Sequence, residues 1–494
     1  MEIQRQTKRG FILVSIMLAM FMAAIEGTII ATAMPNIVAE LGGFSLFSWV
    51  FSVFLLAQAV TIPLYGKFAD IYGRKPVFTI GIIIFIIGSF LCGFAKTMQT
   101  LILFRLVQGL GAGAIQSIAM TIVGDIYSLK ERAKVQGYIS SVWGFASIFG
   151  PALGAFFVQY IHWAWVFWVN IPIGIFAALG IVVFLKEDIQ MQPHEIDYLG
   201  SIYIFISISV LMIVLIQAGT VWKWLSPQVL SMFVAFGVGI TLFIFQEKIA
   251  SEPIIKLELW RDPAILISNI ATLTTGIVLI GISSFLPTYV QGVMNQSALI
   301  AGFSLGVMSI GWLISAALAG KFVLKYGFRK IALWGGIWIV SGSIFFVNIM
   351  PNRGWVWGAI GSFLIGIGMG FTRTVFIVAI QDSVGWEDRG VATASNMFMN
   401  ILGNTIGAAL LGGILNMRLL SYFKSISAGQ YSLDLNVVNT LLDETKRSQL
   451  PQELIQQITT GLSLSLKNVF WGVLFFSVVS LFLIFLLPQH KVES

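Results

Sequence analysis

Gly66-Lys67-Phe68-Ala69-Asp70-Ile71-Tyr72-Gly73-Arg74-Lys75 joins two long apolar runs, and Gly320-Lys321-Phe322-Val323-Leu324-Lys325-Tyr326-Gly327-Phe328-Arg329-Lys330 repeats it in worn form between two others. A repeat at fixed offset between hydrophobic segments indicates a duplicated membrane protein, two similar helical bundles about a pseudo-symmetry axis. A functional site is expected between the halves.

Composition agrees with that reading. The chain is 57% hydrophobic and 10% charged, with a mean hydropathy of +0.90, against the roughly 25% charged usage of soluble domains. Apolar runs of about 20 residues, the length a helix needs to cross a bilayer, recur along nearly the whole chain, so lipid is its main surrounding and no separate soluble domain is visible. The net charge of +7 is scattered through short loops rather than gathered on one face, which argues against a nucleic-acid partner. Cys92 lies alone within an apolar run and reads as packing. His162, His194 and His490 are far apart, so no metal site is expected. Arg5, Lys8 and Arg9 before an apolar segment ending Ala31-Thr32-Ala33 imitate a cleaved signal peptide, but the segment is longer than such a core and carries Glu26. It reads as the first span.

Spans are expected near 11–33, 47–65, 77–95, 100–124, 135–159, 165–185, 198–217, 228–246, 264–290, 299–319, 331–349, 355–381, 391–417 and 467–487, about fourteen in all. An even count puts both termini on one side. With that side cytoplasmic, roughly nineteen basic residues lie inside against about eight outside, as the positive-inside rule requires, and both copies of the opening loop face the cytoplasm. Trp163, Trp165, Trp222, Trp224, Trp355 and Trp357 fall at outer span ends, where amphipathic rings suit the interface.

A second repeat supports the duplication. Gly109, Gly111, Gly113, Gln116 and Asp125, followed by Glu131-Arg132, recur about 257 positions later as Gly366, Gly368, Gly370, Arg373 and Asp382, followed by Asp388-Arg389. That offset fits six spans plus an inserted pair: residues 1–190 as a six-helix bundle, 191–262 as the inserted helix pair, and 263–494 as a second six-helix bundle with a long outer loop at about 419–466. In that loop, Leu433 to Leu442 and Pro451 to Leu464 have helical periodicity and read either as an outer cap or as a polar linker.

These motifs resemble the major facilitator superfamily, and in particular its fourteen-span drug:proton antiporters. Gly66 to Lys75 resembles the superfamily's signature between spans two and three. Leu103-Phe104-Arg105-Leu106-Val107-Gln108-Gly109 resembles its Arg-containing fourth-span motif, and Gly150-Pro151-Ala152-Leu153-Gly154-Ala155 its fifth-span antiporter motif. Thr28 to Pro35, Trp163 to Gly174 and Asp197-Tyr198-Leu199-Gly200 point to the fourteen-span branch. The chain departs from the family pattern at Glu26, where Asp is common, and at Ala155, Ala164 and Asn400. The resemblance implies an all-α polytopic major facilitator fold. It further implies a monomeric multi-pass protein of the cell membrane that is no enzyme and uses no cofactor beyond the proton motive force. Its partners would be protons and small-molecule substrates, with multidrug efflux as the activity. A same-fold, proton-coupled transporter of a specific metabolite, siderophore or peptide is the alternative.

Several residues are expected to carry the chemistry. Glu26 is the carboxylate placed deep within a span, and intramembrane ionisable groups are functional by default. It can take up and release a proton as its surroundings alternate between wet and dry, and a cationic substrate would compete with that proton. Arg105 lies at a similar depth; it either pairs with Glu26 or bonds to backbone or glutamine, and the resemblance implicates it in proton coupling. Arg373 sits nine residues before Asp382, about 13 Å along a helix, deep for a side chain to reach water, and is a cavity candidate. Asn396, Asn400 and Asn404 fall on one helical face that should avoid lipid, to meet substrate or a neighbouring helix. Gln58, Gln108 and Gln116 are treated alike. Pro151 should bend its span, with Gly144, Gly150 and Gly154 admitting a neighbour; the resemblance makes this a gating element. Gly66, Asp70, Gly73 and Arg74 read as gating too: Asp70 can interact with a helix N-terminus, and the resemblance implies that this is the helix beginning near Gly390, with Arg74 joining acidic groups such as Asp125.

Overall fold

The two copies of the opening motif turn the chain at Gly73 and Gly327, with φ of +90° and +82°, a region glycine occupies without the clash that a Cβ brings. The computed structural model describes the chain except residues 1–7, 128, 188–196, 252, 254, 386–388, 427–433 and 489–494, and, within helices, the side chains at 63, 70, 129–130, 132–134, 136–137, 140–141, 147–148, 324 and 444–445. Fourteen helices among the described residues are long and apolar enough to cross a membrane.

The first six are α1 (Arg9–Leu41), α2 (Phe47–Tyr72), α3 (Arg74–Gly93), α4 (Met98–Ile126), α5 (Leu129–Tyr160) and α6 (Asn170–Phe184). The inserted pair is α7 (Tyr198–Gln217) and α8 (Pro227–Ile249). The last six are α9 (Pro263–Thr288), α10 (Ala298–Tyr326), α11 (Phe328–Val347), α12 (Trp355–Asp382), α13 (Arg389–Ile426) and α14 (Gln452–Phe485). Local chemistry sets many of the starts. Thr97 and Thr100 form a capping box on α4, while Asp197, Ser226, Asp262 and Ser297 accept from first-turn amides of α7 to α10, satisfying donors that have no partner within the helix.

The two bundles repeat one set of pairings. In the first, α4 packs on α2 and α3, and α1 on α5 and α6; in the second, α12 packs on α10 and α11, and α9 on α13 and α14. The repeated glycines make the closest of these contacts possible. A methyl group on Gly109 or Gly113 would meet α2, and one on Gly111 would meet α3; on Gly366, Gly370 and Gly368 it would meet α10 and α11 in the same order.

Between the bundles, α2 packs on α13, α5 on α10 and α1 on α9. Hydrogen bonds join them at the end away from the Gly66–Lys75 loop. Asn416 Nδ2 donates to the Ser45 carbonyl (2.7 Å), Gln291 Nε2 to the Thr32 carbonyl (3.0 Å), and the Phe44 amide to Asn439 Oδ1 (3.2 Å). The Phe47 and Phe285 rings stack across the same boundary at 5.6 Å. At the loop end, the positions where a Cβ would stand on Gly66, Gly320 and Gly390 open onto free space. The bundles are therefore joined at the end away from the loop.

The inserted pair occupies one side of that seam. Helix α7 packs on both α2 and α13, and Ile204 and Met212 share an apolar cluster with Val60 of α2 and Phe398 and Met399 of α13.

One boundary differs from the expectation. The segment expected as a loop at about 419–466 is shorter, because α13 runs on to Ile426 and α14 begins at Gln452. The periodic stretch Pro451 to Leu464 is the first part of the last span rather than a separate cap helix, since nothing after Pro451 breaks its helical hydrogen bonding. The helix Val437–Leu442 does cap the joined end, burying Val438 and Leu441 against α1 and α14.

Candidate functional site

Glu26 lies midway along α1 and is fully buried. Both carboxylate oxygens are engaged: Oε1 pairs with Arg105 Nη1, and Oε2 accepts from Asn170 Nδ2 at 2.7 Å. Arg105, itself 1% exposed, holds three further contacts. Its Nε donates to the Val50 carbonyl (3.1 Å), its Nη1 to Gln108 Oε1 (2.6 Å), and its guanidinium lies 4.0 Å from the centroid of the Phe54 ring. Gln108 Nε2 then donates to Ser89 Oγ (2.8 Å), and the Cys92 thiol donates to Gln108 Oε1 (3.9 Å). The network thus gathers α1, α2, α3, α4 and α6 of one bundle around a single carboxylate. Losing either member of such a buried pair strands the other charge, at a cost of about 3–5 kcal/mol.

The two readings open for Arg105, ion pair or bond to backbone and glutamine, are therefore both realised at once. Asn170 was missed as a site residue. It stands in the Trp163 to Gly174 stretch, and a lone amide opening an otherwise apolar span is the signal that marks it. Cys92 packs, as expected, but against the polar network.

The second bundle has a different polar interior. Asn396 Nδ2 donates to Asn269 Oδ1 (3.0 Å) and Thr272 Oγ1 (2.8 Å), so this amide ties α13 to α9. Asn400 and Asn404, one and two turns on, are half-buried, and Asn404 Oδ1 has no hydrogen-bond partner among the described residues. Gln58 and Gln116 bond each other at 2.8 Å across α2 and α4. Arg373, at the position that Gln116 holds in the first bundle, makes no hydrogen bond or ion pair among the described residues, and its Nη1 is buried.

The elements expected to gate lie apart from Glu26, except the fifth-span motif. A Cβ on Gly150 or Gly154 would meet Thr28, Ile29 or Thr32 of α1, and Gly302 of α10 rests against Pro151. Thr28 Oγ1 donates to the Ala146 carbonyl (3.2 Å). At the loop end, Arg74 Nε stands 3.0 Å from Asp125 Oδ2. Glu187, also missed in the sequence, accepts from the amides of Arg74 (2.8 Å) and Lys75 (2.9 Å), placing a carboxylate on the N-terminus of α3 where the helix dipole favours it. The side chains of Asp70, Leu324 and Arg132, and residues Arg5, His194, Asp388, His490 and Leu433, lie outside those described.

Comparison with known proteins matches this geometry to a family. A model of the Major Facilitator Superfamily matches residues 16–408. Multidrug resistance protein 3 of Bacillus subtilis is 33% identical over 497 residues, covering 99% of this chain and 97% of its own. Multidrug transporter protein MdtP of the same organism is 32% identical, covering 98% and 94%. Among solved structures, a bacterial homologue of the human lysosomal transporter Spinster, inward-facing and unoccupied, superposes with a TM-score of 0.68 at 15% identity, covering 97% of this chain and 96% of its own. The nucleoside transporter NupG superposes with a TM-score of 0.58 at 15% identity, covering 94% and 98%. At those identities the structural likeness speaks to the fold.

Proposed function

The chain belongs to the major facilitator superfamily, and from that premise we propose that it is a proton-driven exporter of amphipathic drugs in the plasma membrane, working by alternating access with Glu26 as its proton carrier. The transporter class follows from the family, and the full-length likeness to two proteins named for multidrug transport favours drugs over a single metabolite. The observation that carries the coupling is the Glu26 cluster: one buried carboxylate, one guanidinium, and, among the described residues, no other acid in contact.

A proton arriving on Glu26 removes the charge that holds α1 to α4. Arg105 is then still held by the Val50 carbonyl, Gln108 and the Phe54 ring, so α2 and α4 stay joined while α1 is released. Thr28 and Gly150 place α5 directly on that stretch of α1, and Pro151 passes the displacement to Gly302 of α10 in the other bundle. Proton occupancy is in this way linked to the seam between the bundles. Each proton moved inward contributes about 2.3 kcal/mol per 100 mV of membrane potential.

Substrate-induced proton release from purified protein in proteoliposomes tests this. Wild type is expected to release protons and the Glu26→Gln variant none; wild-type coupling in that variant overturns the assignment, and substrate uptake in the same direction as the proton overturns efflux.

A further inference from the structure

Arg373 is a half-buried cation, its Nη1 buried, that the proton mechanism does not use. It shares a face of α12 with Gly366 and Gly370, the two glycines that seat this helix on Met308, Trp312 and Ser315 of α10. The opposite face carries the exposed Ile360 and Val378, so the guanidinium is directed away from lipid and into the bundle. It is nonetheless half-buried rather than sealed. Such a group, directed inward and still partly accessible, is placed to meet a ligand that enters the space between the bundles.

Electrostatics in that space are lopsided. Glu26 and Arg105 offset each other, and the Glu26 carboxylate is further occupied by Asn170, so Glu26 is not a free anion for a cationic drug in this conformation. Arg373 has no carboxylate beside it and no hydrogen-bond acceptor on its buried Nη1 among the described residues. Burying an ion without a counter-charge is costly, and a guanidinium fork matches a carboxylate with two parallel hydrogen bonds.

We infer that Arg373 is a substrate-binding residue that takes the carboxylate of an anionic or zwitterionic amphipathic drug, so that the charge selectivity of the cavity favours anions over the cations expected from Glu26. This rests on the proposed function, in which substrate passes between the bundles. The proton site belongs to the other bundle, so carboxylate binding and proton binding do not compete for one group.

Three fluorescent probes that share one apolar body test the inference: 1-pyrenebutyrate, its methyl ester and 1-pyrenebutylamine, titrated into full-length protein in nanodiscs against empty nanodiscs. Wild type is expected to bind the butyrate about tenfold more tightly than the ester and to disfavour the amine. Arg373→Gln should bring butyrate and ester within about twofold of each other with ester affinity unchanged, and Arg373→Lys should keep part of the preference, because an ammonium supplies the charge without the fork. Equal binding of butyrate and ester by wild type, tighter binding of the amine, or an undiminished preference in Arg373→Gln overturns it. Thermal melting of each variant shows whether it is folded, and Arg373→Lys carries the test alone if Arg373→Gln is not. The Glu26→Gln variant separates this inference from the transport mechanism. It should retain the butyrate preference while losing proton release, so proton release in Glu26→Gln would break the coupling scheme and leave the Arg373 subsite standing.

Discussion

The two bundles share a backbone plan and differ in what they bury. Gly109, Gly111 and Gly113 seat α4 on α2 and α3 as Gly366, Gly368 and Gly370 seat α12 on α10 and α11, yet the first bundle encloses an ion pair whose network draws in three further helices, and the second encloses neutral amides and the unmatched Arg373. Packing contacts depend on small residues at fixed spacing and survive duplication. Charges depend on partners from several helices at once, so the halves were free to diverge there. The likeness between the halves is mechanical, and the chemistry belongs to each half alone.

The largest test of that contrast compares the two polar centres. Arg105→Ala leaves Glu26 buried without its counter-charge and should lower stability by about 3–5 kcal/mol and abolish coupling. Asn396→Ala removes two neutral hydrogen bonds, should cost about 1–3 kcal/mol, and should leave proton coupling in place; thermal melting and proton-release assays on both variants decide it. Equal losses would mean the second bundle is as electrostatically committed as the first.

A smaller effect bears on the shared packing. Gly109→Ala and Gly366→Ala each place a methyl against a backbone carbonyl of the next helix, Phe54 in one bundle and Met308 in the other, and each should cost about 1–3 kcal/mol. Similar melting shifts would uphold the mechanical equivalence, and a large disparity would break it.

The smallest concerns the loop end. Arg74 is partly and Asp125 well exposed, with side-chain accessibilities of 28% and 53%, so Arg74→Ala should change stability by only about 0.2–1 kcal/mol, less at high salt. A loss of several kcal/mol in a salt series of melting curves would show the pair to be structural rather than a surface contact.

Much of the fold was legible in advance because it is written locally. Twenty-residue apolar runs, caps such as Thr97 and Asp262, and glycine at fixed intervals each act within a few residues of where they are read. The extent of α14 was not, because the polar stretch after Pro451 has the same helical period whether it ends as a separate cap or continues into the span. The site was half legible. Glu26, Arg105 and Arg373 stood out as charges in an apolar setting, but Asn170 and Glu187 are ordinary residues until the fold sets them beside Glu26 and the first amides of α3. The spacing of Asn396, Asn400 and Asn404 puts them on one face of α13, yet the division into a helix tie and two half-buried amides depends on where α9 lies.

By itself, then, the sequence determined the duplication, the number of spans, the inserted pair, and which charges must be kept from lipid. Each follows from periodicity and from the cost of exposing polar groups to hydrocarbon, and neither needs a partner to be known. Only the tertiary structure decided that Glu26 is matched and Arg373 is not. An ion pair joins atoms 79 positions apart in the chain, and whether two buried charges meet is settled by the packing of whole helices around them.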